Sequence, residues 1–142
     1  MSEGPAAPDP VELVRHAFDA GNRHDIDAIM GFYAPDALWD LSNIGLGTFQ
    51  GEDATRSFLE DWFGTWGDHT VQVQDVIDCG HGVILSPVHE VARLAGSDGQ
   101  VEQNRAWVMV WVQSKAHRVE VYLDVDQARD AAERLAHERA DG

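Results

Sequence analysis

The stretch VEQNRAWVMVWV, residues 101–112, decides the reading of this chain. It is rich in valine and tryptophan and reads as the longest strand. Successive side chains on a strand point to opposite faces. One face carries Val101, Gln103, Arg105, Trp107, Met109 and Trp111. The other carries Glu102, Asn104, Ala106, Val108, Val110 and Val112. Upstream, Gly96-Ser97-Asp98-Gly99 marks a turn, and Val83 to Leu94 reads as a second strand. Pro87 in its middle implies a bulge or an edge. Gly80-His81-Gly82 turns the chain out of an earlier strand, Thr70 to Cys79. Downstream, Gln113 to Ala116 leads into a last strand, His117 to Leu123. The second half is thus a four-strand antiparallel meander.

The first half is helical. Asp9 and Pro10 form a helix start, a capping acid followed by proline at the first helical position. Val11, Val14, Ala17, Phe18 and Gly21 keep helical spacing. Asn22 to His24 breaks the pattern, and Asp25 restarts it through Ile26, Ile29, Met30 and Tyr33. Pro35 is expected to stop that second helix. Asp36 to Leu41 reads as a short strand, and Ser42 to Gly51, with three glycines, as a loop. A third helix runs from Glu52 to about Trp66 with Phe58, Leu59, Trp62, Phe63 and Trp66 on its apolar side, and Gly67 ends it. Asp124 opens a final helix, with Gln127 at capping-box spacing. Residues 1–9 read as a flexible lead-in, 10–138 as one domain and 139–142 as a frayed end. Helices on one face of an antiparallel sheet make an α+β fold.

Bulk properties narrow the function. The 142 residues suit one domain with its own core. The net charge of −15, from 10 basic and 25 acidic side chains, argues against nucleic acid and anionic membranes as partners. No apolar run approaches the roughly 20 residues of a membrane span. A single cysteine, Cys79, excludes an intrachain disulfide and a cysteine-rich metal site. A cytoplasmic location is the expectation. Neither His16 with Asp25 nor His81 with His89 has tight ligand spacing, so no metal is expected. Gly45, Gly47 and Gly51 do not form a phosphate loop.

Four local phrases carry a resemblance: Asn22-Arg23-His24-Asp25-Ile26-Asp27-Ala28, Phe32-Tyr33-Ala34-Pro35-Asp36-Ala37-Leu38-Trp39-Asp40, Phe49-Gln50-Gly51-Glu52-Asp53-Ala54 and Val119-Glu120-Val121-Tyr122-Leu123-Asp124. With the order of elements, they resemble the nuclear transport factor 2-like superfamily, and within it the SnoaL-like proteins related to polyketide cyclases. The resemblance covers about Val11 to Leu135. It implies a cone, a curved antiparallel sheet wrapped around three N-terminal helices with a C-terminal helix added. Members include isomerases, hydrolases, cyclases, dehydratases and binders, so fold alone does not give function. Ketosteroid isomerase pairs a carboxylate base with a tyrosine and a protonated acid. Those positions fall here near Asp40 or Leu41, near Ala17 and on Trp107. The tyrosine, asparagine and last-strand acid of limonene epoxide hydrolase fall near Trp39, Leu41 and Val121. The last-strand acid of the cyclases lies near Glu120.

The resemblance turns Arg105, Trp107 and Met109 toward the cone. The expected wall is Tyr33, Trp39, Phe58, Trp62, Trp107, Met109, Val121 and Leu123, an aromatic lining suited to a small hydrophobic molecule. The expected proton-handling groups are Asp40 and His89. Arg105 is placed to pair with Asp40 or Glu90, or to orient an anion. With the opposite strand face inward, Glu120 and Tyr122 take their place. The reading is a cofactor-independent acid–base enzyme of isomerase, cyclase, dehydratase or hydrolase type. Its alternative is a non-catalytic ligand-binding or accessory protein. The outer sheet face, with Val108, Val110 and Val112, is the expected homodimer surface.

Overall fold

Asp9 caps the first helix by accepting from the Val11 N–H at 3.0 Å, and α1 runs Pro10–Asn22. Asp25 caps α2, Ile26–Met30, through the Ala28 N–H at 3.1 Å. The computed structural model describes residues 9–141, so residues 1–8 of the expected lead-in lie outside the described residues. The second helix is shorter than its spacing suggested, because β1, Tyr33–Asp40, has already begun at Tyr33. Pro35 stops no helix. It sits where β1 loses its pairing, between Tyr33 and Leu38, so the ladder does not need its missing N–H.

The glycine-rich segment after β1 holds a single 3₁₀ turn, Ser42–Ile44, and a short strand the sequence reading missed, β2, Thr48–Gln50. Helix α3, Glu52–Thr65, passes directly into β3, Trp66–Val73. The strand expected over Thr70–Cys79 is therefore two strands, β3 and β4, Ile77–Asp78. Pro87 explains the break. Its carbonyl accepts from Gln74, so its N also points to that side, where a ladder N–H would be missing. The edge partner leaves the ladder there, with Val73 opposite Val88 and Ile77 opposite Leu85. The remaining elements are β5, Val83–Leu94, β6, Gln100–Val112, β7, Lys115–Tyr122, and α4, Val125–Asp141. Helical conformation thus continues past residue 138.

The sheet order is β2-β1-β7-β6-β5-β3, with β4 against β5. The β1–β7 pairing is parallel and the others antiparallel, so the sheet is mixed. One face packs on α1, α2 and α3 through Val14, Phe18, Ile29, Leu59, Val88, Met109 and Val119. The opposite face packs on α4, where Ala128, Ala132 and Ala136 meet Val83, Leu85, Val108 and Val110. Small alanines let the helix lie close to the valines, each contributing about 1.5–3 kcal/mol when buried. This corrects the expected dimer patch: Val108 and Val110 lie beneath α4.

Candidate functional site

Between the three N-terminal helices and the sheet lies a pocket of about 90 Å³. At about 15 Å³ per water centre, that space holds several waters or part of a ligand. Tyr33 and Trp39 of β1, Phe58 and Trp62 of α3, Trp107 and Met109 of β6 and Val121 of β7 line it, as expected. Leu123 does not. It is 59% exposed beyond the end of β7. The aromatic wall has two groups: Tyr33, Trp39, Trp107 and Phe18 meet at 4.8, 6.1 and 5.0 Å between successive centroids, and Phe58 stacks on Trp62 at 5.7 Å.

Polar groups enter this apolar space from three neighbouring strands. Alternation on β5 points Ile84, Ser86, Val88, Glu90 and Ala92 to one face, so a carboxylate interrupts an otherwise small or apolar row. Glu90 Oε1 accepts from Arg105 Nε at 2.9 Å, and the two side chains are only 9% and 10% exposed. Arg105 also donates from Nη2 to Gln103, at 3.0 Å. Its Nη1 is buried with no partner. Burial raises the Glu90 pKa, and the Arg105 guanidinium, with a hydrogen bond from the Trp107 indole, pulls it partway back. His69 of β3 completes the group, diagonal to Glu90 across the ladder, since Val71 faces Glu90 and Ala92 faces His69. Burial, with the charges of His24 and Arg105, pushes the His69 imidazole down to about 4. It is neutral at neutral pH, and its Nε2 is buried without a partner. Tyr33 has its phenol pushed up by burial and is also neutral.

Two clamps hold this wall. The Asn22 amide accepts from Val71 N–H at 2.7 Å and donates to Val71 C=O at 2.9 Å, closing the edge strand onto α1. His24 lies 3.1 Å from the His69 carbonyl and stacks on Phe63 at 4.3 Å.

Both expected proton-handling residues, Asp40 and His89, lie elsewhere. Asp40 is outside the pocket, because the alternation that buries Trp39 turns its neighbour outward. Its carboxylate accepts from Ser42 Oγ at 2.6 Å and from Ser42 N–H at 3.1 Å. Those bonds hold its pKa below the usual carboxylate value. His89 is also on the outer face, with Nδ1 2.9 Å from Asn104 Oδ1 and Nε2 3.0 Å from Glu102 Oε1. Both contacts raise its pKa. Of the expected trio only Arg105 faces the cone, and it pairs with Glu90 rather than Asp40. Glu120 and Tyr122 share the outer face, where buried Glu120 accepts from Tyr122 Oη and Arg118 Nε. No cluster of three or more metal-ligating side chains occurs among the described residues.

A helix-lined cone closed by a curved sheet is the architecture of the NTF2-like proteins. A family model described as a SnoaL-like domain matches residues 14–120, and the chain belongs to that family. No curated protein matches it. Among solved structures, TerC co-crystallised with polyporic acid is similar at a TM-score of 0.71 and 19% identity, covering 88% of this chain and 99% of that one. An NTF2-like protein of unknown function from Burkholderia pseudomallei K96243 has a TM-score of 0.72 and 19% identity, covering 85% and 95%. The epoxide hydrolase/cyclase-like enzyme SalBIII, described in pyran ring formation in the polyether salinomycin, has a TM-score of 0.71 and 17% identity, covering 81% and 90%. At such identities the likeness carries the fold alone.

Proposed function

We propose that this protein is a cofactor-independent acid–base enzyme that takes a hydrophobic small molecule into the cone and moves a proton with Glu90. The observation that carries the reading is the Glu90–Arg105 pair, nine-tenths buried at the wall of an aromatic pocket. A carboxylate raised by burial is a stronger base than one in water, and a pKa nearer the working pH favours proton transfer. Arg105 keeps Glu90 ionised and oriented, and supplies positive charge where a substrate oxygen gains electron density. His69, neutral beside them, can donate or accept a hydrogen bond without adding charge. This set suits isomerisation, cyclisation, dehydration or water addition. The epoxide hydrolase/cyclase-like neighbour is consistent with that range.

A satisfied ion pair also suits a protein that only binds, and turnover separates the two readings. Hydrophobic ketones incubated with the protein in D₂O should exchange protons beside the carbonyl, followed by NMR. Glu90→Gln should slow exchange by about 100-fold or more. Equal rates for that variant and the parent protein, or exchange no faster than buffer for every ketone, would refute the enzyme reading.

A further inference from the structure

The pocket's polar atoms are unevenly matched. Arg105 Nη1 and the indole Nε1 of Trp39 both belong to lining residues, are buried, and have no partner, whereas the Trp107 indole is directed to Glu90. Each can only donate. His69 Nε2 is a third unpartnered atom, able to donate in one tautomer. The carboxylate facing them, Glu90, already receives Arg105 Nε at 2.9 Å. A buried donor without an acceptor is costly, and such groups in a pocket call for a partner. Charge restricts that partner. Glu90 and Arg105 cancel and His69 is uncharged at neutral pH, so the site is neutral as it stands. An added carboxylate would be a net buried charge beside Glu90, in a protein that already carries −15.

We propose that the pocket selects neutral, apolar molecules bearing hydrogen-bond-accepting oxygens, such as ketone, ester or ether oxygens, and discriminates against both carboxylates and donor-rich amines. This assigns Arg105 a different task from the anion binding its charge suggests: it offers a donor to a neutral oxygen. The inference rests on the cone being the ligand site, as proposed above, and does not require turnover.

Four one-ring probes of nearly equal size test it by calorimetric titration at neutral pH: acetophenone, cumene, benzoate and 1-phenylethylamine. Acetophenone should bind at least about tenfold tighter than each of the other three, roughly the effect of one satisfied buried donor. Trp39→Phe keeps a ring and removes one unpartnered N–H, and should narrow the acetophenone–cumene gap several-fold. Equal binding of acetophenone and cumene would overturn the acceptor rule while leaving the pocket as a ligand site. Tighter binding of benzoate or the amine would overturn the charge argument. No binding by any probe would count against the cone as a ligand site, and so against the proposed function as well.

Discussion

Replacing Arg105 with methionine tests the electrostatics of the pocket wall most severely. At 2.9 Å and an effective dielectric of about 20, the gross attraction between Arg105 and Glu90 is about 6 kcal/mol. Most of that offsets the desolvation of two groups that are nine-tenths buried. The net worth of the pair is therefore small, but the cost of removing one partner is not: Glu90 remains as an uncompensated charge, at about 3–5 kcal/mol. A domain of this kind has only about 5–15 kcal/mol of stability in total. The loss should depend on pH with a definite sign. Burial already raises the Glu90 pKa, and removing the opposing guanidinium raises it further. A carboxyl with a raised folded-state pKa binds its proton more tightly when folded. Its contribution is fully present below the unfolded value and is lost as pH rises through the folded one. Arg105→Met should thus be far less destabilised near pH 4 than at pH 8. Guanidinium denaturation at the two pH values reads this directly, and adding Glu90→Gln should recover most of the loss at pH 8. A loss below about 1 kcal/mol at pH 8, with no pH dependence, would refute the reasoning.

Other consequences are independent of that pair. The His69 ring should titrate near pH 4 by NMR. Because its pKa is depressed on folding, it contributes stability that falls between about pH 6.5 and 4, by up to about 3 kcal/mol; titration above pH 6 would contradict its burial. Gly82→Ala places a Cβ 2.2 Å from the Trp111 carbonyl oxygen at a φ of +83°, and should cost more than about 3 kcal/mol in thermal denaturation. Gly80→Ala, at a φ of +90° in open space, should cost only about 1–2 kcal/mol. Asn22→Ala removes both partners of the buried Val71 peptide groups and should cost about 2 kcal/mol, with faster amide exchange at Val71.

Much of the fold was legible because the meander announces itself: alternating apolar residues, glycine turns and capped helices are local signals. Alternation over Arg105, Trp107 and Met109 gave the correct inward face. The misreadings came where a non-local contact decided the outcome. Pro35 looked like a helix stop, but its place in β1 depends on a gap in pairing with a strand some 80 residues away. Residues 48–50 become β2 only because Leu38–Asp40 offers an edge. Asp40 and His89 lie outside the cone for a related reason: their chemistry points to proton handling, but register decides the face, and the alternation that buries Trp39 turns Asp40 outward. Glu90 stood as the one acid in the inward row of β5 and could have been singled out from that row. His69 could not, because its burial depends on α3 and the Asn22–His24 junction folding over an edge strand.

The central claim is that the working groups lie inside the cone, on Glu90, Arg105 and His69. A crystal structure with acetophenone bound tests it most directly. The carbonyl oxygen is expected about 3 Å from Arg105 Nη1 or the Trp39 indole nitrogen, with the ring against Trp107 and Phe58. A ketone seated instead on the outer face, beside His89 or Asp40, would contradict the account.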